Sequence, residues 1–325
     1  MSLLLFKEVR MATTKKPKTA AAKTTKSKTA SKPKTTAKTV AKTVAKPVSE
    51  APEEKTEKVV ENKKQESIFK GFFSKKYEEK ESILTIFKKP KLYGALLGEI
   101  LGTACITMFL FGLLGINIIN MAMFSVVYIA IIVAVFAFSG AQLNPIITAG
   151  MMATRRMSVI RGVLYIIAQV IGAWIGWMVF NSFHIAGGDT AYPVPALSAI
   201  GENAFWNIAM VEALGALIVA FFYSRALTFK RSAFTFAAVA GGGLALAILV
   251  GYVVSQAYLG LSSNFIYNPS AALMLQIFPT TGENFGEVVG GILQALSCYA
   301  IIPMIAGVIG FYLSDVTSRL SGENA

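Results

Sequence analysis

The sequence predicts an all-α membrane protein: six transmembrane helices plus two half-helices in an inverted repeat, behind a disordered basic N-terminal tail. Three observations predict this class. The chain of 325 residues is 54% hydrophobic and only 15% charged, with mean hydropathy +0.57. Its charge is confined, since residues 11–49 hold eleven lysines and no acid, whereas residues 91–325 hold eight acids and eight bases. Two Asn-Pro pairs, Asn144-Pro145 and Asn268-Pro269, interrupt otherwise apolar sequence at corresponding places in the two halves of the hydrophobic region. A matched pair of interrupted segments in two repeats points to a solute pathway near the membrane midplane.

The tail comes first. Residues 1–65 are dominated by a Lys/Thr/Ala/Pro run such as T-A-K-T-V-A-K-T-V-A-K, which has too few apolar residues to build a core and should be disordered. Its formal charge suits an electrostatic tether to nucleic acid or anionic lipid. The alternative, which such a common composition favours, is a solvated cytoplasmic extension with no dedicated partner. Leu3-Leu4-Leu5-Phe6 is too short for the apolar core of a signal peptide, and Met11 is a second candidate start. In residues 66–91, Phe69, Phe72, Phe73, Ile83, Leu84 and Phe87 are interleaved with charges. This pattern suits either an amphipathic segment on the membrane face, ending at Pro90, or a plain linker.

The membrane region follows over residues 92–315, leaving 316–325 as a short C-terminal tail. A span needs about 20 apolar residues. Six segments qualify, at roughly 93–115, 118–140, 160–181, 205–226, 232–255 and 287–313. The segments opening at Asn144 and Asn268 run for about ten residues each, too short to cross. Asn is a favoured N-cap and Pro a favoured first helical residue, so each pair reads as the start of a short helix inside the bilayer. Arg155, Arg156 and Arg161 follow the second span, Arg225, Lys230 and Arg231 the fourth, and Arg319 the sixth. The other connections carry Asp189, Glu202, Glu283 and Glu287 but no base, which places both termini in the cytoplasm.

The halves repeat. G-E-I-L-G-T (98–103) opens the first span and V-E-A-L-G-A (211–216) the fourth, so Glu99 leads to Asn144 and Glu212 to Asn268. With three spans per half, the second half starts from the opposite side, and the two short helices enter from opposite faces to meet N-terminus to N-terminus. Such ends carry unpaired N–H groups and partial positive charge, so the centre should admit neutral hydrogen-bonding solutes and repel cations. The unwound backbone from Gly140 to Leu143 and from Ser263 to Tyr267 can offer carbonyl acceptors along a wet cavity. Glu99 and Glu212 are either proton-relay groups or acceptors for the N–H groups of the unwound loops. Their equivalent placement in both halves favours the second role. Gly172 with Gly176, Gly241–Gly243, and Gly307 with Gly310 mark close helix packing.

Several chemistries are excluded or given no support. His184 is the only histidine, so no His-based metal site or catalytic triad can be built, and no cofactor is implied. Cys105 and Cys298 both sit in apolar runs and read as packing residues. Nothing points to an enzyme.

Taken together, S-G-A-Q-L-N-P-I-I-T (139–148), Y-I-I-A-Q (165–169) and Y-A-I-I-P-M-I-A-G (299–307) resemble the signatures of the major intrinsic protein family, the aquaporins and glycerol facilitators. The resemblance covers about residues 92–315. It implies an aquaporin-like fold, a passive channel for water and small uncharged solutes such as glycerol, a homotetramer with one pore per protomer, and a plasma-membrane location. It makes Asn144, Pro145 and Ile146, and Asn268, Pro269 and Ser270, the two pore motifs, with Ile and Ser where the family has Ala. Gln142 stands where the family has His. Ala271 stands at the family's pore arginine, and a gap-free count from the Asn anchors places the other filter positions at Phe124, Gln256 and Phe265. Every other base of the membrane region lies on the cytoplasmic side, so the outer constriction should be uncharged. Two rival functions remain open: a proton-coupled secondary transporter using Glu99 or Glu212, and a membrane-anchored scaffold whose tail binds nucleic acid or lipid.

Overall fold

Pro90 opens the first long helix, because its fixed φ suits the first helical position and its missing N–H is needed by no partner there. The computed structural model describes residues 83–113, 118–186, 202–228, 232–258, 265–276 and 284–322. The expected tail over 1–65, Asp189, Lys230, Arg231, Glu283, and the Ser263–Asn264 part of the second loop lie outside these residues. So does most of the 66–91 segment, of which a single turn, Ile83–Ile86, is described.

All the described secondary structure is helical. The first half contains α1 (Pro90–Leu113), α2 (Ile118–Ser139), the short α3 (Pro145–Ala153) and α4 (Val159–Ala186). The second half contains α5 (Glu202–Ala226), α6 (Ala233–Val253), the short α7 (Pro269–Gln276), α8 (Phe285–Leu296) and α9 (Ile302–Leu320). Each half therefore runs full, full, short, full, with α8 and α9 forming one apolar rod over Phe285–Leu320. Among the described residues five helices are long and apolar enough to cross a membrane, and the apolar part of α2, Met123–Ser139, is shorter. Large apolar side chains such as Leu101, Phe109, Phe138 and Met210 lie exposed on the outer faces, a surface that suits lipid and not water.

Three boundaries differ from the sequence expectation. Pro90 and Lys91 belong to the first helix and not to the preceding linker. The sixth span is not a uniform helix over 287–313, because a π-helical stretch, Ser297–Ile301, joins α8 to α9. Pro303 supplies the reason, since it has no N–H for the carbonyl of Tyr299 four residues earlier. The C-terminal tail expected from 316 is helical to Leu320. Asp315 and Ser318 face inward there and bind Arg156 and Arg225 across the bundle.

Close approach within each half depends on glycine. A Cβ on Gly172 would overlap the backbone carbonyl of Ile100, and one on Gly176 that of Ala104, so α1 and α4 touch backbone to backbone. In the second half a Cβ on Gly310 would lie 2.5 Å from the carbonyl oxygen of Leu217, bringing α9 onto α5 in the same way. Backbone cannot yield as a side chain can. Gly172→Val should therefore destabilise the protein by about 3 kcal/mol or more. Gly94→Val, where a Cβ meets nothing within 4 Å, should stay within about 0.5 kcal/mol of the parent. Thermal unfolding of the two detergent-solubilised variants measures the contrast.

Candidate functional site

The two short helices begin at Asn144 and Asn268, and each Asn caps its own helix. Asn144 is extended (φ −158°, ψ 123°), and its Oδ1 accepts the N–H of Ile146 at 2.9 Å. Asn268 Oδ1 accepts the N–H of Ser270 at 3.2 Å and the Ser270 hydroxyl at 2.7 Å. With the oxygens used in capping, the amide nitrogens point across the molecular centre. Asn144 Nδ2 donates to the carbonyl of Tyr267 at 2.7 Å, and Asn268 Nδ2 donates to the carbonyl of Leu143 at 3.0 Å. The N-termini of α3 and α7 thus face each other, joined by a reciprocal pair of hydrogen bonds.

The loops feeding these helices are strained in matching ways. Leu143 (φ 55°) and Tyr267 (φ 53°), each just before its Asn, adopt the left-handed conformation that L-residues avoid. Two carboxylates hold them there. Glu99, fully buried, accepts the N–H of Gln142 at 3.0 Å and of Leu143 at 2.7 Å. Glu212, 1% exposed, accepts the N–H groups of Ile266 and Tyr267 (3.0 Å for the latter). Small residues one helical turn on make room, since a side chain on Gly102 would strike Leu143 and one on Gly215 would strike Tyr267.

Sequence reading assigned no role to Gln169 or Thr148. Gln169 Nε2 donates to Glu99 Oε2 at 2.8 Å and to Thr148 Oγ1 at 2.9 Å, tying the first carboxylate to α3 and α4. The signal was present in Y-I-I-A-Q, whose last residue is Gln169. Four residues after Tyr299, the second half has Pro303 instead, and among the described residues Glu212 gains no side-chain donor. Gln142 is buried, with Nε2 donating to Met157 Sδ at 3.7 Å, so its side chain is drawn to the corner between α3 and α4.

The expected filter residues are distributed unevenly. Phe124 on α2 and Phe265 before α7 wall a cavity together with Leu110 and Leu113 of α1 and Leu244 and Ile248 of α6. Ile266 and Tyr267 complete its described lining. Its free space is about 10 Å³, room for about one water. Ala271 is fully buried in α7. Gln256 does not join this group. It sits exposed in the π-helical extension Val254–Tyr258, two turns beyond Ile248. The helix runs on past Val253 into the π-helical stretch, so the residue reached by a gap-free count from Asn268 lies outside the lining of this cavity. The internal repeat points to a residue that does line it, since Phe124 precedes Asn144 by 20 residues and Ile248 precedes Asn268 by 20.

The basic residues gather at one end of the bundle. Arg156 donates to Ser224 at 2.8 Å, pairs with Asp315 and lies 5.5 Å over the Phe311 ring, while Arg225 donates to Ser318. The C-terminus of α3, the end of α5 and the end of α9 are thereby clamped together.

A family model described as major intrinsic protein matches residues 86–312. The chain belongs to the major intrinsic protein family. Among its relatives, aquaporin TIP4-4 of Zea mays is 28% identical over 180 residues, 54% of this chain and 62% of the relative. Aquaporin-1 of Ovis aries is 33% identical over 79 residues, 24% of this chain and 28% of the relative. The matched stretches thus span less than two thirds of these relatives. The solved aquaglyceroporin from Plasmodium falciparum is 16% identical, with a TM-score of 0.49 covering 70% of this chain and 96% of that one.

Removing either carboxylate of this family member orphans two buried backbone N–H groups. Glu99→Ala and Glu212→Ala should each cost about 2–6 kcal/mol, taking about 1–3 per unpartnered group. Glu99→Ala should be the worse, because Gln169 loses its acceptor too. Glu→Gln at either site keeps one acceptor oxygen and should cost less. Unfolding midpoints in detergent rank the four variants.

Proposed function

We propose that the chain is a passive channel for water and small uncharged solutes, which pass the Asn144–Asn268 pair in single file. The reciprocal amide–carbonyl pairing at the meeting point of two helix N-termini carries this reading. Each Asn amide has a second N–H to offer a solute oxygen. The two helix ends together supply roughly one unit of positive charge to the same point, a barrier to cations and protons. The aquaporin names of the relatives fit water as a permeant.

Glu99 and Glu212 support the pathway in this reading and do not carry protons along it. Both oxygens of each carboxylate receive backbone N–H groups, in both halves alike. The clustered bases Arg156 and Arg225 mark the cytoplasmic end by the positive-inside rule, which puts both termini in the cytoplasm. The Lys-rich tail would then face anionic lipid or nucleic acid. A plasma-membrane homotetramer with one pore per protomer completes the proposal.

Stopped-flow light scattering on full-length protein in proteoliposomes tests it. Under a sucrose gradient, shrinkage should be at least several-fold faster than in empty vesicles and independent of a pH gradient. Glu212→Gln, which leaves one loop N–H without an acceptor, should lower the rate without creating a pH dependence. Shrinkage no faster than in empty vesicles would count against a channel, and solute accumulation driven by a pH gradient would establish coupled transport instead.

A further inference from the structure

Resting on the channel reading, we propose that Tyr223 is the latch of a side-chain gate that closes the half of the pathway nearer the basic end of the bundle. The other members of the gate are Phe136 of α2 and Phe236 of α6.

Two independent observations place Tyr223 on the pathway. Its hydroxyl donates at 2.8 Å to the carbonyl of Gly140, the residue that opens the unwound loop leading into α3. The internal repeat gives the same place. Tyr223 lies 11 residues after Glu212, and the residue 11 after Glu99 is Leu110, which walls the cavity at the opposite mouth. Helices α1 and α5 thus present matched positions to the two ends of one path. At the mouth walled by Leu110, Phe124, Ile248 and Phe265 there is free space of about 10 Å³. At the other end the matched position holds a tyrosine ring.

Aromatic rings complete the closure. The Tyr223 ring meets the Phe236 ring edge to face with centroids 5.0 Å apart, and the Phe236 centroid lies 4.7 Å from that of Phe136. Phe136 also touches the loop, since its carbonyl accepts the N–H of Gly140 at 2.9 Å. Helices α2, α5 and α6 are so joined ring to ring beside the loop. Tyr223 and Phe236 are buried, and so are Ala141 and Leu143 in the loop itself. The latch bond also uses up an acceptor, because a water passing the loop would otherwise donate to the Gly140 carbonyl.

The helix that carries the latch is fixed. Ser224, next to Tyr223, accepts from Arg156, which pairs with Asp315. Opening is therefore a rotation of the Tyr223 side chain and not a movement of α5. It is resisted by one hydrogen bond and one edge-to-face ring contact, both modest enough to leave a minor open population. The parent conducts through that minority, and its rate should climb steeply on warming because opening breaks both contacts.

Full-length parent and variants in proteoliposomes of equal protein content, shrunk by a sucrose gradient at several temperatures, test the gate. Tyr223→Phe keeps the ring and removes the latch bond. It should raise the water rate about two- to tenfold, the factor one such bond supplies, and flatten the temperature dependence. Phe236→Ala removes the ring on which Tyr223 rests and should raise the rate at least as much. Phe138→Ala, two residues from Phe136 but on the exposed outer face, should match the parent in both readouts. If Phe236→Ala fails to fold, Tyr223→Phe alone decides. A rate unchanged in Tyr223→Phe would overturn the gate while sparing the channel. So would a lowered rate, which would make the hydroxyl a support of the conducting loop. Rates no faster than empty vesicles in the parent and every variant would remove the channel, and the gate with it.

Discussion

Everything at the centre of this protein depends on two crossed hydrogen bonds, Asn144 to the Tyr267 carbonyl and Asn268 to the Leu143 carbonyl. They join the two halves where the short helices meet, and they constrain both loops at once. Each carbonyl that turns toward the opposite Asn belongs to a residue that has left the extended and right-handed regions. These residues are Leu143 and Tyr267, with φ of 55° and 53°, at a cost of order 1–3 kcal/mol each. That strain persists because the same residues' N–H groups are captured by Glu99 and Glu212, and charge-assisted bonds of this kind contribute about 1.5–3 kcal/mol. The carboxylates, the strained loops and the crossed amides therefore form one mechanical unit. Removing any member releases the others.

The unit is symmetric in backbone and asymmetric in side chains. In the first half Gln169 and Thr148 brace Glu99. In the second half the place of Gln169 is taken by Pro303, and Asn268 is braced by the Ser270 hydroxyl. Polar support has moved from the carboxylate to the cap. Ile146, large and fully buried, fills the corresponding place in the first motif and packs so closely on α9 that a Cβ on Gly307 would overlap it. The departures from alanine in the two motifs thus have local structural partners and are not free surface variation.

Much of this was readable in the chain because the repeat writes its instructions twice. The Asn-Pro pairs, the upstream Glu residues and the glycines one turn beyond them recur at matched positions, and each is a residue type whose backbone role is local. The mouth was harder to read. Gln256 was placed by counting along one segment, and a count fails wherever a helix runs on through a π-turn, as α6 does over Val254–Tyr258. Ile248 could be found only by carrying Phe124 across the repeat. The helical extension to Leu320 was likewise hidden, because Asp315 and Ser318 look like the start of a polar tail until Arg156 and Arg225 are brought beside them.

In the proposed channel, Ala271, which stands where the family resemblance places an arginine, would shift charge discrimination to other parts of the pore. An apolar mouth of single-water width rejects ions by dehydration, since a charge entering it loses solvent without gaining a partner. In the same proposed channel, the opposed ends of α3 and α7 would reject cations by potential, acting where the surrounding dielectric is low and partial charges act strongly. The two barriers are in series and differ in kind. The first depends on the size and apolar character of Phe124, Ile248 and Phe265, and the second only on backbone held by Glu99 and Glu212. A guanidinium at the mouth would combine both barriers in one residue and would also give a polar solute a set of donors.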